Sequence, residues 1–393
     1  MHIPENYLSP STCGVLGAAM VPVWAHAVRT VRQTVPKEKM PLLGVAAAFC
    51  FLAMMFNVPV PGGTTGHAVC GTLVAILFGP WAATLCISIA LVIQAVFFGD
   101  GGILALGANC FNMAFVLPMV GYGVYALVMR AGGLRGRGFS KPDDGALDSK
   151  PSNSAALPTA GTSKRELIAA GIGSYLGINA AALCAALEFG IQPLFFTNAA
   201  GQALYCPYPL WVSVPAMLAA HLTVCGAAEV AFTVGILAYV RKVAPGLCLD
   251  SVARDAGRGQ AVGQSFAQTA MPRRAPLQDD VAAEPDSLAQ RKGRAAVAVL
   301  LAVLIALVPL GLLASGDAWG EWSTEDVAAS VGYTPAGMSG GWEWHSMLPD
   351  YSLGALTDWA GYLVSAVVGV ALLVIVFRVA AAGMRAKVDF GTR

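Results

Sequence analysis

The chain has 393 residues, of which 56% are hydrophobic and only 12% charged, and its net charge is +1. That balance lies outside the soluble globular range and places the chain among membrane proteins, with nothing in the net charge to suggest nucleic acid. None of the nine cysteines stands in a Cys-x-x-Cys pair, which argues against a zinc ribbon or a disulfide framework and leaves them as small apolar packing residues.

One membrane crossing needs about 20 apolar residues. By that measure nine stretches qualify: 11–30, 41–58, 67–79, 81–98, 104–129, 165–188, 209–240, 295–315 and 358–381. The expected fold is therefore all-α, a polytopic membrane protein with about nine transmembrane helices. The first ten residues lack a basic leader, so the first apolar run reads as a retained span and not as a signal peptide. The third stretch is short, starting at His67 and stopping at Gly79-Pro80. Short or interrupted spans are where transporters build binding sites. The seventh is long and carries Pro215, which predicts a kink or tilt. Residues 131–163 and 246–294 are rich in Gly, Ser, Pro and charge, and read as disordered linkers. The second separates a seven-span unit, 1–245, from a two-span unit, 295–393.

Placing Met1 outside and alternating across nine spans puts 1–10, 59–66, 99–103, 189–208 and 316–357 on the outer face. All 24 Lys and Arg residues then fall in inner segments or at their edges. The positive-inside rule predicts this distribution. The last outer loop is acidic, with Asp317, Glu321, Glu325, Asp326, Glu343 and Asp350. The expectation is a protein of the inner (cell) membrane, with its N-terminus outside and its C-terminus cytoplasmic.

Met1-His2 is a compact nitrogen chelator. The terminal amine, the deprotonated His2 backbone nitrogen and the imidazole Nδ1 close a five-membered and a six-membered ring around one ion. A fourth nitrogen from His67 in Val-Pro-Gly-Gly-Thr-Thr-Gly-His (60–67) would complete a planar set suited to Ni(II) or Cu(II) and open to Co(II). A large second residue such as His2 keeps the initiator methionine in place. The competing reading is a frayed terminus and a plain glycine turn. Against fraying, Ile3-Pro4-Glu5-Asn6-Tyr7-Leu8-Ser9-Pro10 is apolar and fixed by prolines.

Asn109 and Asn112 stand three residues apart, on one face of a regular helix. Their amides either orient His2 or His67 or bond between helices. Gln94 and Asp100 are weaker candidates of the same kind. His221 either serves the site or is a core histidine, and Glu229 is a buried acid suited to helix pairing or conformational coupling. His26 and His345 are not assigned to the metal. Neither His-Glu-x-x-His nor a Gly-x4-Gly-Lys-Ser/Thr loop occurs. Zinc-protease chemistry and an internal ATPase are thus unsupported, and uphill transport would draw on a partner or an ion gradient.

Met1-His2-Ile3-Pro4-Glu5-Asn6-Tyr7-Leu8-Ser9-Pro10 resembles the opening of the CbiM/NikM family, the substrate-binding components of energy-coupling factor importers for cobalt and nickel. The resemblance runs over about 1–245, through Pro61–His67, Gly79-Pro80-Trp81, Phe98–Gly102 and Leu106–Met113. It departs at Glu5-Asn6-Tyr7, where the family commonly has an Asp/Glu-Gly-Phe-like run. The region 295–381 looks like the two-span accessory component of nickel members, of the PDGLE type, here fused. The resemblance implies that Met1, His2 and His67 bind Ni(II) or Co(II) as transported substrate. It implies cytoplasmic ABC-type ATPase subunits and a transmembrane coupling subunit as partners. The planar donors and the accessory region favour nickel. Two alternatives remain: an intramembrane metal-dependent enzyme, with Glu5 as the nearest base, and a metal sensor.

Overall fold

The structure, a computed structural model, describes residues 1–61, 63–135, 162–244, 288–314, 316–354 and 356–389. Most of the two linker stretches lies outside the described residues. Among those described, seven helices are long and apolar enough to cross a membrane: Pro10–Thr34, Pro80–Phe98, Leu106–Ala131, Lys164–Phe195, Leu210–Val243, Arg291–Leu313 and Asp358–Gly383. The other two expected spans are shorter. The second is α2, Met40–Met55, of 16 residues. The third contains only an eight-residue helix, α3, Gly71–Phe78.

Between them the chain forms a small hairpin, β1 (Val58–Val60) against β2 (Thr64–Gly66), with Val58 opposite Gly66. His67 therefore lies outside any helix, in an extended stretch that leads from the hairpin into α3. Glycine at the turn and β-branched Val58, Val60, Thr64 and Thr65 favour this short ladder over helix continuation.

The first helix, α1 (Pro10–Thr34), has a well-made start. Ser9 accepts a hydrogen bond from the Thr12 N–H at its N-cap, and Pro10 occupies the first turn, where its missing N–H costs nothing. Residues 1–9 precede this helix as an inserted segment. Met1, His2, Ile3, Tyr7, Leu8 and Ser9 are all buried. Burying side chains such as Ile3, Tyr7 and Leu8 contributes about 1.5–3 kcal/mol each, so this terminus is docked.

Three of the long helices widen into π turns: Gln94–Phe98, Cys110–Val116 and His221–Cys225. Such turns interrupt the regular hydrogen-bond ladder and recur at functional sites. Here they involve Gln94 and His221 directly and begin just after Asn109. The last helix, Asp358–Asp389, runs along α2. The connection before it, residues 316–354 and 356–357, lies over the hairpin and the end of the Gln94–Phe98 turn. Ala318 bridges Thr65, Thr64 Oγ1 donates to the Asp317 carbonyl, and Leu348 N–H donates to the Phe97 carbonyl.

Candidate metal centre

The inserted terminus is held by main-chain contacts of the kind a neighbouring strand would make. Ile3 N–H donates to Asn109 Oδ1 at 2.7 Å, and Asn109 Nδ2 donates back to the Ile3 carbonyl at 3.1 Å. The same carbonyl accepts from Gly102 N–H at 2.8 Å. Gly101 has a φ of +84°, and a Cβ there would press on both Asn109 Nδ2 and the His2 ring. Glu5 accepts from the N–H groups of Ile103 and Leu104, which occupies the only carboxylate in the terminal segment. Asn6 adopts the left-handed region, φ 62°, and its Nδ2 donates to the Trp342 carbonyl. Asn tolerates that conformation better than other residues with a side chain.

These contacts bring His2 to His67. Nδ1 of His2 lies 3.2 Å from Nε2 of His67, and both rings are buried. Two nitrogens bound at about 2.0 Å to one ion are about 2.8 Å apart when adjacent and about 4 Å apart when opposite. The observed separation matches adjacent donors before they tighten on an ion. The terminal amine is close enough for its charge to act on His2, His67 and His221. Among the described residues, no group of three or more His, Cys, Asp and Glu side chains is placed to hold a metal. That set comprises side chains alone, and the terminal amine of Met1 is not among them.

Two of these nitrogens, the terminal amine and His2 Nδ1, are engaged by carboxylates. The Met1 ammonium donates to Glu321 Oε1 at 2.7 Å, and His2 Nδ1 lies 3.1 Å from Asp100 Oδ1. Asp100 is held by Gln94 Nε2 at 3.2 Å and by the Tyr351 hydroxyl, both of which meet its Oδ2. Tyr351 stacks on Phe98 with ring centroids 4.9 Å apart. Burial, followed by the charge of the terminal amine, pushes the His2 imidazole down to about 4. Burial pushes His67 the same way. Both rings are thus neutral near pH 7, the form a metal requires. The Gln94 carboxamide lies beside the His2 ring, and among the described residues neither His2 Nε2 nor Gln94 Oε1 has a hydrogen-bond partner.

Of the residues expected from sequence to support the site, Asn109 is present and acts on the Ile3 backbone. Asn112 is not brought to it: its Nδ2 donates to Glu188 Oε2 at 2.8 Å. The π turn beginning at Cys110 changes the angular step, so a three-residue spacing no longer shares a face. His221 is buried and its Nδ1 faces the Met217 carbonyl at 2.8 Å. Sequence reading treated Glu321 only as part of an acidic loop and gave Tyr351 no role. Both come from the connection before the last helix: Glu321 reaches Met1 across 320 residues, and Tyr351 reaches Asp100 across 251.

Residues 2–247 match the family described as cobalt uptake substrate-specific transmembrane region, and residues 293–386 match the PDGLE domain. The fused nickel transport protein NikMN of Rhodobacter capsulatus is 43% identical over 391 residues, covering 95% of each chain. The cobalt transport protein CbiM of Acetohalobium arabaticum is 40% identical over 134 residues, covering 33% of this chain and 53% of its own. A crystal structure of a transition metal transporter is 48% identical, with a TM-score of 0.52, covering 62% of this chain and 93% of that one.

Proposed function

The chain belongs to the cobalt-uptake substrate-specific transmembrane family, with a PDGLE domain fused behind it, and on that premise we propose that it captures Ni(II) or Co(II) through its own terminus for an energy-coupled importer. It is a multi-pass membrane transport protein, and the metal is its cargo.

The observation that carries the proposal is the 3.2 Å approach of His2 Nδ1 to His67 Nε2 beside a buried terminal amine. The amine, the His2 backbone nitrogen and Nδ1 belong to one dipeptide, so their chelate rings follow from covalent geometry. His67 supplies the fourth nitrogen of the plane. Capture exchanges the Glu321 contact of the amine and the Asp100 contact of the imidazole for the metal, and releases the protons of the ammonium and the amide.

The distribution of basic residues supports an outward-facing terminus and a cytoplasmic C-terminus, in a bacterial or archaeal cell membrane. Residues 1–245 form the capturing unit and 295–393 the accessory unit, whose outer loop closes over the terminus. A cytoplasmic ATPase pair and a transmembrane coupling subunit supply the energy, since the sequence carries no phosphate-binding loop of its own. The planar donor set favours nickel over cobalt.

The test is uptake of radioactive nickel and cobalt by cells expressing the chain with and without those subunits. Accumulation that depends on the ATPase supports the importer. Conversion of a substrate by the metal-loaded chain alone, without accumulation, would sink it.

A further inference from the structure

The helix that follows the His221–Cys225 turn, Gly226–Val243, carries a buried polar stripe at four-residue spacing. His221, Cys225, Glu229 and Thr233 are each at most 4% exposed. Residues spaced in this way follow one side of a helix. Two of them meet the chain on either side of His67. Before it, Gly66 rests against Cys225: a Cβ at Gly66 would lie 2.4 Å from Cys225 Sγ. After it, Glu229 Oε2 accepts from the N–H of Val69 at 2.7 Å and of Cys70 at 2.9 Å.

Those two N–H groups stand at the open end of α3, the eight-residue helix that His67 leads into. Cys70, at its N-cap, has a left-handed φ of 62° and no side-chain cap. A non-glycine residue holds that conformation only where its surroundings impose it. The carboxylate from the neighbouring helix takes the place of a cap and pins the turn. Among the described residues its second oxygen has no hydrogen-bond partner.

We propose that Glu229 is the positioning residue of metal capture: by clamping Val69 and Cys70 while Cys225 backs Gly66, it fixes His67 where the fourth nitrogen is needed. This rests on the metal centre proposed above. Glu229 holds the chain at Val69 and Cys70, and it acts on His67 through the backbone between them.

The test uses the full chain, purified as wild type, Glu229→Gln, Glu229→Asp and His67→Ala. Each is loaded with Cu(II) as the probe. The number of coordinated nitrogens is read from electron paramagnetic resonance, and Kd from competition with a chelator. Glu229→Gln keeps an oxygen for both N–H groups, so four nitrogens and a Kd within about threefold of wild type are expected. Glu229→Asp is one methylene too short to hold both. Its Kd should rise about tenfold or more, the effect of stranding one buried N–H. Its spectrum should move toward the three-nitrogen form of His67→Ala. A folded Glu229→Asp protein with four nitrogens and wild-type affinity overturns the proposal. If that protein does not fold, Glu229→Gln decides, and loss of the fourth nitrogen there overturns it. Unchanged binding in His67→Ala instead removes the metal centre itself, a result distinct from failure of the Glu229 clamp.

Discussion

Acid should weaken metal capture with a slope set by the burial of the two imidazoles. A free chelator of this composition loses four protons to its metal: one from the ammonium, one from the amide and one from each imidazole. In the docked terminus, burial holds His2 at about 4 and depresses His67, so between pH 5 and 6.5 both rings are already neutral. Only two protons then leave, and the apparent affinity should fall by about two decades per pH unit. The docking of the terminus carries its own sign. His2 binds a proton more readily when undocked, with an ordinary value of about 6.5, than when docked. Docking is therefore fully stable above about 6.5 and loses stability as pH falls toward 4. The loss at pH 5 is about 2 kcal/mol, from the ratio of protonated to neutral forms in the two states. Nickel titrations against a competing chelator at several pH values measure the slope. A slope of three or four decades per unit between pH 5 and 6.5 would show the imidazoles titrating in place, and would refute their burial as neutral rings.

Three further outcomes follow from the contacts of the terminus. Asn109→Ala strands the Ile3 N–H and removes one of two donors to its carbonyl, a loss of about 2–4 kcal/mol in docking. Hydrogen exchange over residues 1–9 should then be faster by about 30-fold or more, and unchanged protection would contradict the clasp. Extending the N-terminus by two residues should abolish nickel binding in a protein that still folds; wild-type affinity in that protein would exclude the amine as a ligand. Glu321→Gln removes a part-buried ion pair with the terminal ammonium. It should destabilise the metal-free protein by about 1 kcal/mol or less and leave the nickel-loaded protein unaffected, so the thermal shift on adding nickel grows. An equal loss in both forms would mean that the carboxylate does not give way to the metal.

How far the sequence carried depends on how local each feature is. Span-length apolar runs and the Gly-rich turn before His67 are local patterns, and the long helices and the hairpin answer to them. The short third stretch announced an irregular element, and it folds as an extended segment and a two-turn helix. Asn109 is legible as a helix-face amide; of the two readings open for Asn112, the structure gives the bond between helices, to Glu188, and nothing local marks the π turn at Cys110–Val116 that directs it there. Asn6 appeared as a departure from the family run, and the structure gives it a left-handed φ. Glu321, Tyr351 and the hold of Glu229 on Val69 and Cys70 could not be read in advance. Each joins segments 150 residues or more apart through contacts set by tertiary packing, and no periodicity encodes them.

X-ray absorption of the nickel-loaded full chain reads the coordination shell directly. Planar nickel with four nitrogen donors, two of them imidazoles, and with one imidazole lost in His67→Ala, is the predicted result. A wild-type spectrum with a single imidazole, or with sulfur among the ligands, would contradict a centre built from the terminal amine, His2 and His67.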